Sequence, residues 1–161
     1  MDTVIHNIPP EYDSDSQILI LGSFPSKKSR ESQFFYGHPQ NRFWKMLASI
    51  FHDSVPQTVE EKKSFLHLHH IALWDVIASC EISGSADSSI RNVVPNHIER
   101  ILLNADIRKI IVNGKTAQKY YQKYLYPRIK REAICLPSTS PANASKSLDD
   151  LINIWSLIKN I

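Results

Sequence analysis

An α/β fold is predicted, a three-layer α/β/α sandwich around a central four-stranded parallel sheet, and three observations predict it. Four short apolar runs, Gln17–Gly22, Ile71–Ile77, Lys109–Asn113 and Glu132–Leu136, have the length and composition of buried strands. Segments with helical periodicity separate them, and strands that alternate with helices pair in parallel through crossover connections. The 161 residues, 42% hydrophobic and 22% charged, suffice for one core, so a single domain over residues 1–161 is expected.

The first strand ends at Gly22. From Ser23 to Gln40 neither a helical nor a strand period is visible, yet Phe24, Phe34, Phe35 and Tyr36 make the stretch too aromatic for disorder. A loop of this length in a compact fold is expected to carry function. Asn41 can cap the next helix, whose Phe43, Met46, Leu47 and Ile50 share one face. A second helix begins at Thr58, where Thr58 and Glu61 have capping-box spacing, and runs to about His69. After the strand at Ile71–Ile77, the Ser-rich stretch Ser79–Asn92 is expected to hold little regular structure.

Pro95 and Asn96 introduce a helix with Ile98, Ile101 and Leu102 facing inward. Gly114 turns the third strand into a helix containing Ala117, Tyr120, Tyr121 and Tyr124. The fourth strand runs through Pro137–Asn143 into a last helix. There Ser147 and Asp150 form a capping-box variant, and Leu148, Leu151, Ile152, Trp155 and Ile158 form the apolar stripe. In sheets of this kind ligands bind beyond the carboxyl ends of the strands. Those ends carry the Ser23–Gln40 loop, Asp75, Asn113-Gly114 and the Ser138–Asn143 loop.

Composition excludes several classes. No apolar run approaches the ~20 residues that span a bilayer, and residues 1–10 lack a secretory pattern, so a cytoplasmic location is expected. Cys80 and Cys135 stand far apart; they are expected as plain thiols and cannot supply the four thiolates of an iron–sulfur cluster. The net charge of +3 permits a polyanionic partner without demanding one. Neither Gly22–Ser29 nor the segment ending Gly114-Lys115-Thr116 completes a phosphate loop. His67, His69 and His70 cluster at a helix end with no adjacent carboxylate in sequence, so they are expected to be solvated or to face the helix terminus. No Gly-x-Ser-x-Gly elbow is present. No metal and no cofactor are expected.

Two segments stand out together. The first is Gly22-Ser23-Phe24-Pro25 with Phe35-Tyr36-Gly37-His38-Pro39-Gln40-Asn41-Arg42-Phe43-Trp44; the second is Pro137-Ser138-Thr139-Ser140-Pro141-Ala142-Asn143 before the last helix. Here the chain resembles the uracil-DNA glycosylase superfamily. His-Pro-x-Asn-Arg-Phe-Trp resembles its mismatch-specific branch; Gly-Ser-Phe-Pro and Ser-Thr-Ser-Pro-Ala-Asn resemble its hypoxanthine-DNA (deoxyinosine) branch more closely. The resemblance runs from about Ile18 to the C-terminus, with Gly114-Lys115 and its helix in register.

The resemblance implies a monofunctional glycosylase acting by base flipping on DNA that contains deaminated bases, with hypoxanthine first and uracil second. It implies a monomer without membrane or metal-cluster partners. Where the uracil-excising and mismatch branches carry an acid or amide that handles water, this chain has Phe24. The resemblance assigns the catalytic amide to Asn41, which either positions water or contacts the leaving base and can cap its helix as well. It places Gly22, Ser23, Phe24, Tyr36, His38 and Asp75 around the base, Tyr36 as the stacking ring and Asp75 as the base reader. It puts Ser26, Ser138, Thr139, Ser140, Pro141, Ala142, Asn143 and Lys146 on the DNA. Lys27, Lys28 and Arg30 would add salt-dependent attraction. Ser138 stands where the uracil-specific branch has a histidine, which disfavours uracil. Two alternatives stay open: a mismatch-type enzyme acting on G·U pairs, and a DNA- or nucleotide-binding protein that keeps the fold without activity.

Overall fold

The computed structural model describes residues 2–5, 8–82 and 89–159. Its centre is a four-stranded parallel sheet in the order β3–β2–β6–β7, formed by β2 (Ile18–Gly22), β3 (Ile71–Asp75), β6 (Lys109–Asn113) and β7 (Ile134–Leu136). Every residue of β2 and β3 is buried, as strands covered on both faces require. In register, Gly22 lies beside Asp75, and Leu21 beside both Trp74 and Val112. The chain builds β3 on one side of β2 and then returns to build β6 on the other. The strand order reverses between β2 and β6, so a crevice opens beyond Gly22 and Asn113.

Helices flank this sheet. α2 (Phe43–Ile50) packs on α7 (Leu148–Trp155), with Phe43 and Trp155 edge to face at 6.3 Å between ring centroids. α3 (Val59–Leu68) lies against β3, and α5 (Lys115–Tyr120) against β6 and β7. A π-helical turn over Tyr121–Leu125 and the short α6 (Tyr126–Ile129) continue α5, while α4 (Glu99–Asn104) precedes β6. Both capping boxes form, Thr58 with Glu61 and Ser147 with Asp150.

Three departures from the sequence reading have physical reasons. Ser79–Asn92 does not form one irregular loop: β4 (Ile77–Ile82) and β5 (Arg91–Pro95) pair antiparallel, and β1 (Asp2–Ile5) joins the other side of β4. Residues 83–88 of that stretch lie outside the described residues. The chain switches sheets at Val76, whose N–H still donates to the Gly22 carbonyl at 2.8 Å, so β3 leads straight into β4. A six-residue helix, α1 (Lys27–Ser32), interrupts the long aromatic loop; Ser26 caps it and only Ser29 is buried, so no apolar period announces it. Finally, the histidines meet carboxylates brought from elsewhere. His67 lies 2.7 Å from Glu11 and 2.9 Å from Asp13, and His69 lies 3.0 Å from Asp53.

Among the described residues no helix is long and apolar enough to cross a membrane, and no group of three or more His, Cys, Asp or Glu is placed to hold a metal ion. Cys80 and Cys135 are free thiols.

Candidate active site

The crevice at the sheet's carboxyl edge is a cleft of about 890 Å³. Its floor is made by the strand ends Gly22, Asp75, Asn113 and Leu136; its walls are the Ser23–Asn41 segment and the Pro137–Lys146 loop. The fifteen residues assigned from sequence to the base or the DNA contact line it, Gly22, Ser23, Phe24, Ser26, Tyr36, His38, Asn41, Asp75, Ser138, Thr139, Ser140, Pro141, Ala142, Asn143 and Lys146, whereas Lys27, Lys28 and Arg30 do not.

Each wall is anchored from behind by a buried indole. Trp44 donates to the Phe35 carbonyl at 3.2 Å, and Trp155 donates to the Pro137 carbonyl at 2.9 Å. Phe34 and Phe35 are buried, which explains why a stretch without periodicity is ordered. They hold Tyr36 in a left-handed backbone conformation, φ 53°, with its ring stacked on Phe43 at 4.0 Å and 23°. Ser29 reinforces the turn by accepting the Gly37 N–H at 2.9 Å.

The two walls are tied to each other by Arg42. Its backbone N–H donates to the Thr139 carbonyl at 3.1 Å, and its guanidinium donates to the carbonyls of Ser140 at 2.8 Å, Asn143 at 3.1 Å, Thr139 at 3.4 Å and Lys146. A planar fork of five N–H donors suits several carbonyls at once, which an ammonium does not. In the sequence Arg42 stands inside a motif with nothing local to mark this role.

Asn41 sits where the walls meet. Its Oδ1 accepts from the Phe43 N–H at 3.0 Å and from the Thr139 hydroxyl at 2.8 Å. The N-cap of α2 is Arg42, which makes no side-chain cap bond, so Asn41 is not the cap expected from sequence; it meets the first helical N–H from one residue earlier. Thr139 is completely buried, so its hydroxyl faces this bond and not a phosphate. That corrects the expectation that its side chain contacts DNA. Asn113, also missed from sequence, donates to Thr139 Oγ1 and accepts the Thr139 N–H, both at 3.1 Å. Its signal was an amide on the last residue of a buried strand, just before a glycine. Ser26 caps α1, and His38 accepts the Gln40 N–H at Nδ1 at 3.1 Å.

Gly22 is dictated by its neighbours. A Cβ there would lie 2.5 Å from Asp75 Oδ1 and 3.2 Å from the Tyr36 hydroxyl. Gly114, at φ 97°, serves the opposite wall, where a Cβ would come within 2.9 Å of the Ser138 Cβ. Both glycines let a side chain or loop close over bare backbone.

Asp75 is 3% exposed, and burial pushes its carboxyl up to about 7. Burial, and then the Asp75 charge, push the Tyr36 phenol above its ordinary value, against the effect of Asn113. The folded chain thus holds the Asp75 proton up to about pH 7, whereas an unfolded aspartate releases it near 4. Between those values folding takes up a proton, so this residue makes stability fall as pH rises. Asp75→Asn keeps the shape and removes the charge. It is expected to melt higher than the parent at pH 8, with the advantage shrinking towards pH 4, in thermal melts across that range. An advantage that does not change with pH would show that Asp75 is ionised throughout.

Comparison with known proteins bears on this arrangement. The family model described as the uracil DNA glycosylase superfamily matches residues 9–159. The chain belongs to the uracil DNA glycosylase superfamily. Among relatives within it, a protein of Methanosarcina acetivorans named hypoxanthine DNA glycosylase is 34% identical over 84% of this chain and 85% of its own length. A Methanosarcina barkeri protein of the same name is 31% identical over 70% of this chain and 72% of its own. A solution NMR structure of a Methanosarcina acetivorans protein, provisionally titled a uracil DNA glycosylase, superposes with a TM-score of 0.79. It is 30% identical and covers 96% of this chain and 98% of its own. The chain is thus a DNA glycosylase of this superfamily, and its cleft lies where the strand topology of such a sheet opens.

Proposed function

We propose that this DNA glycosylase hydrolyses the N-glycosidic bond of deoxyinosine, releasing hypoxanthine and leaving an abasic site. The observation that carries the reading is the Asn41 amide, held at the junction of the two cleft walls by fixed hydrogen bonds, in a chain whose Gly22-Ser23-Phe24 turn offers no acid or amide for the task. The two Methanosarcina relatives named hypoxanthine DNA glycosylase support the base preference.

In this reading a flipped nucleotide enters the cleft and stacks on the face of Tyr36 that Phe43 does not cover. The bond between C1′ and N9 breaks, and its electron pair leaves with the base. A water oxygen bonds to C1′, and the water's proton ends on the departing base. Fixed dipoles that face the developing charge are the protein's main contribution, since the residues need not reorganise as the reaction proceeds. Asp75, once ionised, accepts from N1–H of hypoxanthine, a donor that adenine lacks. The Ser138–Asn143 loop, whose Pro141 and Ala142 are exposed, and Lys146 face the DNA backbone. The domain acts as a monomer in this scheme.

The test is a panel of labelled duplexes carrying inosine or uracil, incubated with protein and cleaved with alkali at abasic sites. Inosine cutting at least about tenfold faster than uracil cutting is expected, a gap of roughly 1.4 kcal/mol in transition-state binding. Uracil-dominant cutting opposite guanine would favour the mismatch reading that the His38–Trp44 segment resembles. Binding without cutting would overturn the enzymatic reading.

A further inference from the structure

The hydrogen bonds around Asn41 fix which end of its amide the cleft receives. A backbone N–H can only donate, so the atom that meets the Phe43 N–H at 3.0 Å must be an acceptor, Oδ1. Asn113 gives the same answer by a separate route. The Thr139 N–H donates to it at 3.1 Å, which makes that atom oxygen and the other a donating Nδ2. Nδ2 then donates to Thr139 Oγ1 at 3.1 Å, so the single hydroxyl proton of Thr139 is left for Asn41, 2.8 Å away. Both lone pairs of Asn41 Oδ1 are therefore taken, one by the first N–H of α2 and one by the opposite wall. Thr139 has no polar group to spare: its carbonyl takes the Arg42 N–H, and the residue is completely buried.

We infer that Thr139 and Asn113 are positioning residues, which lock the Asn41 amide with its NH2 group towards the departing base. This rests on the reading of Asn41 as the catalytic amide and decides between its two possible jobs. An amide that raises the nucleophilicity of the attacking water does so by accepting its O–H, and Asn41 has no lone pair left for that. An NH2 group aimed at the base donates to its ring nitrogens or exocyclic oxygen, where negative charge accumulates as C1′–N9 breaks. Asn41 is then a leaving-group stabiliser. Thr139 earns its burial by preventing the amide from turning over.

Three variants test this in single-turnover excision of hypoxanthine from an inosine duplex, with affinity measured separately. Asn41→Asp keeps an acceptor for both Phe43 and Thr139 but replaces the donor. It is expected to lose at least about 100-fold in rate, with residual activity rising at low pH as the protonated acid regains a donor. Thr139→Val, close in shape, is expected to lose about tenfold or more in rate with affinity within about threefold, and Thr139→Ser to restore most of it. An Asn41→Asp protein as fast as the parent would show that residue 41 works as an acceptor, and would overturn the inference. A Thr139→Val protein of parental rate, or a Thr139→Ser protein as slow as Thr139→Val, would also overturn it. Each of these results leaves the glycosylase reading standing. A parent protein that excises neither hypoxanthine nor uracil removes both.

Discussion

Asn41→Ala is expected to lower the excision rate at least about 100-fold while affinity for undamaged duplex stays within about threefold. The large effect comes from losing a preorganised dipole where the two cleft walls meet. The small effect on binding is expected because, in the proposed reading, phosphate contacts are spread over other residues, the Ser138–Asn143 loop and Lys146 among them. Folding should suffer modestly. The variant leaves the Phe43 N–H and the Thr139 hydroxyl without their shared acceptor, a loss of about 1–2 kcal/mol. Single-turnover kinetics beside filter binding separates the two effects. Equal losses of rate and affinity would mean that Asn41 is a DNA-binding residue and no more.

Arg42→Ala is expected to have the largest effect on stability of any single change at the site. The guanidinium spans carbonyls of Thr139, Ser140, Asn143 and Lys146, and alanine deprives four oxygens of a charged donor. Because Arg42 is only partly buried, water replaces part of what is lost, and a net cost of about 2–4 kcal/mol is expected. For a chain of this length that corresponds to a melting point lower by about 10 °C. Excision should fall too, since Thr139 then no longer holds its place against Asn41. Arg42→Lys should recover less than half of the lost stability, because one ammonium cannot reach the same set of carbonyls. Thermal melts of the three proteins check the order; a lysine variant equal to the parent would mean that charge alone suffices.

The parallel sheet was legible because β2, β3 and β6 are short apolar runs bounded by turn residues, and burial on both faces leaves no polar alternation to confuse them. The two capping boxes were legible because their signal is local, three residues apart. β4 and β5 were not. Their faces carry Ser79, Glu81, Arg91 and Asn92, and the ladder between them shifts register, so a half-exposed hairpin reads as a polar loop. At the site, residue types and their order pointed to the edge of the sheet where the cleft lies. The partners did not follow from sequence, because Thr139 meets Asn41 across 98 residues and Arg42 reaches Lys146 across 104. A hydroxyl in a loop beside a cleft looks like a phosphate ligand until its burial is known. An arginine beside an asparagine gives no local hint that it grips backbone.

That grip has an evolutionary side. Arg42 recognises carbonyl oxygens, which every amino acid possesses, so the curve of the opposing segment is largely indifferent to what its outward residues are. Pro141, Ala142 and Ala144 are exposed and contribute no side-chain hydrogen bond to the clamp. A lineage, or a laboratory library, can therefore vary those three places and explore new lesions or strand contexts while the framework behind them keeps its shape.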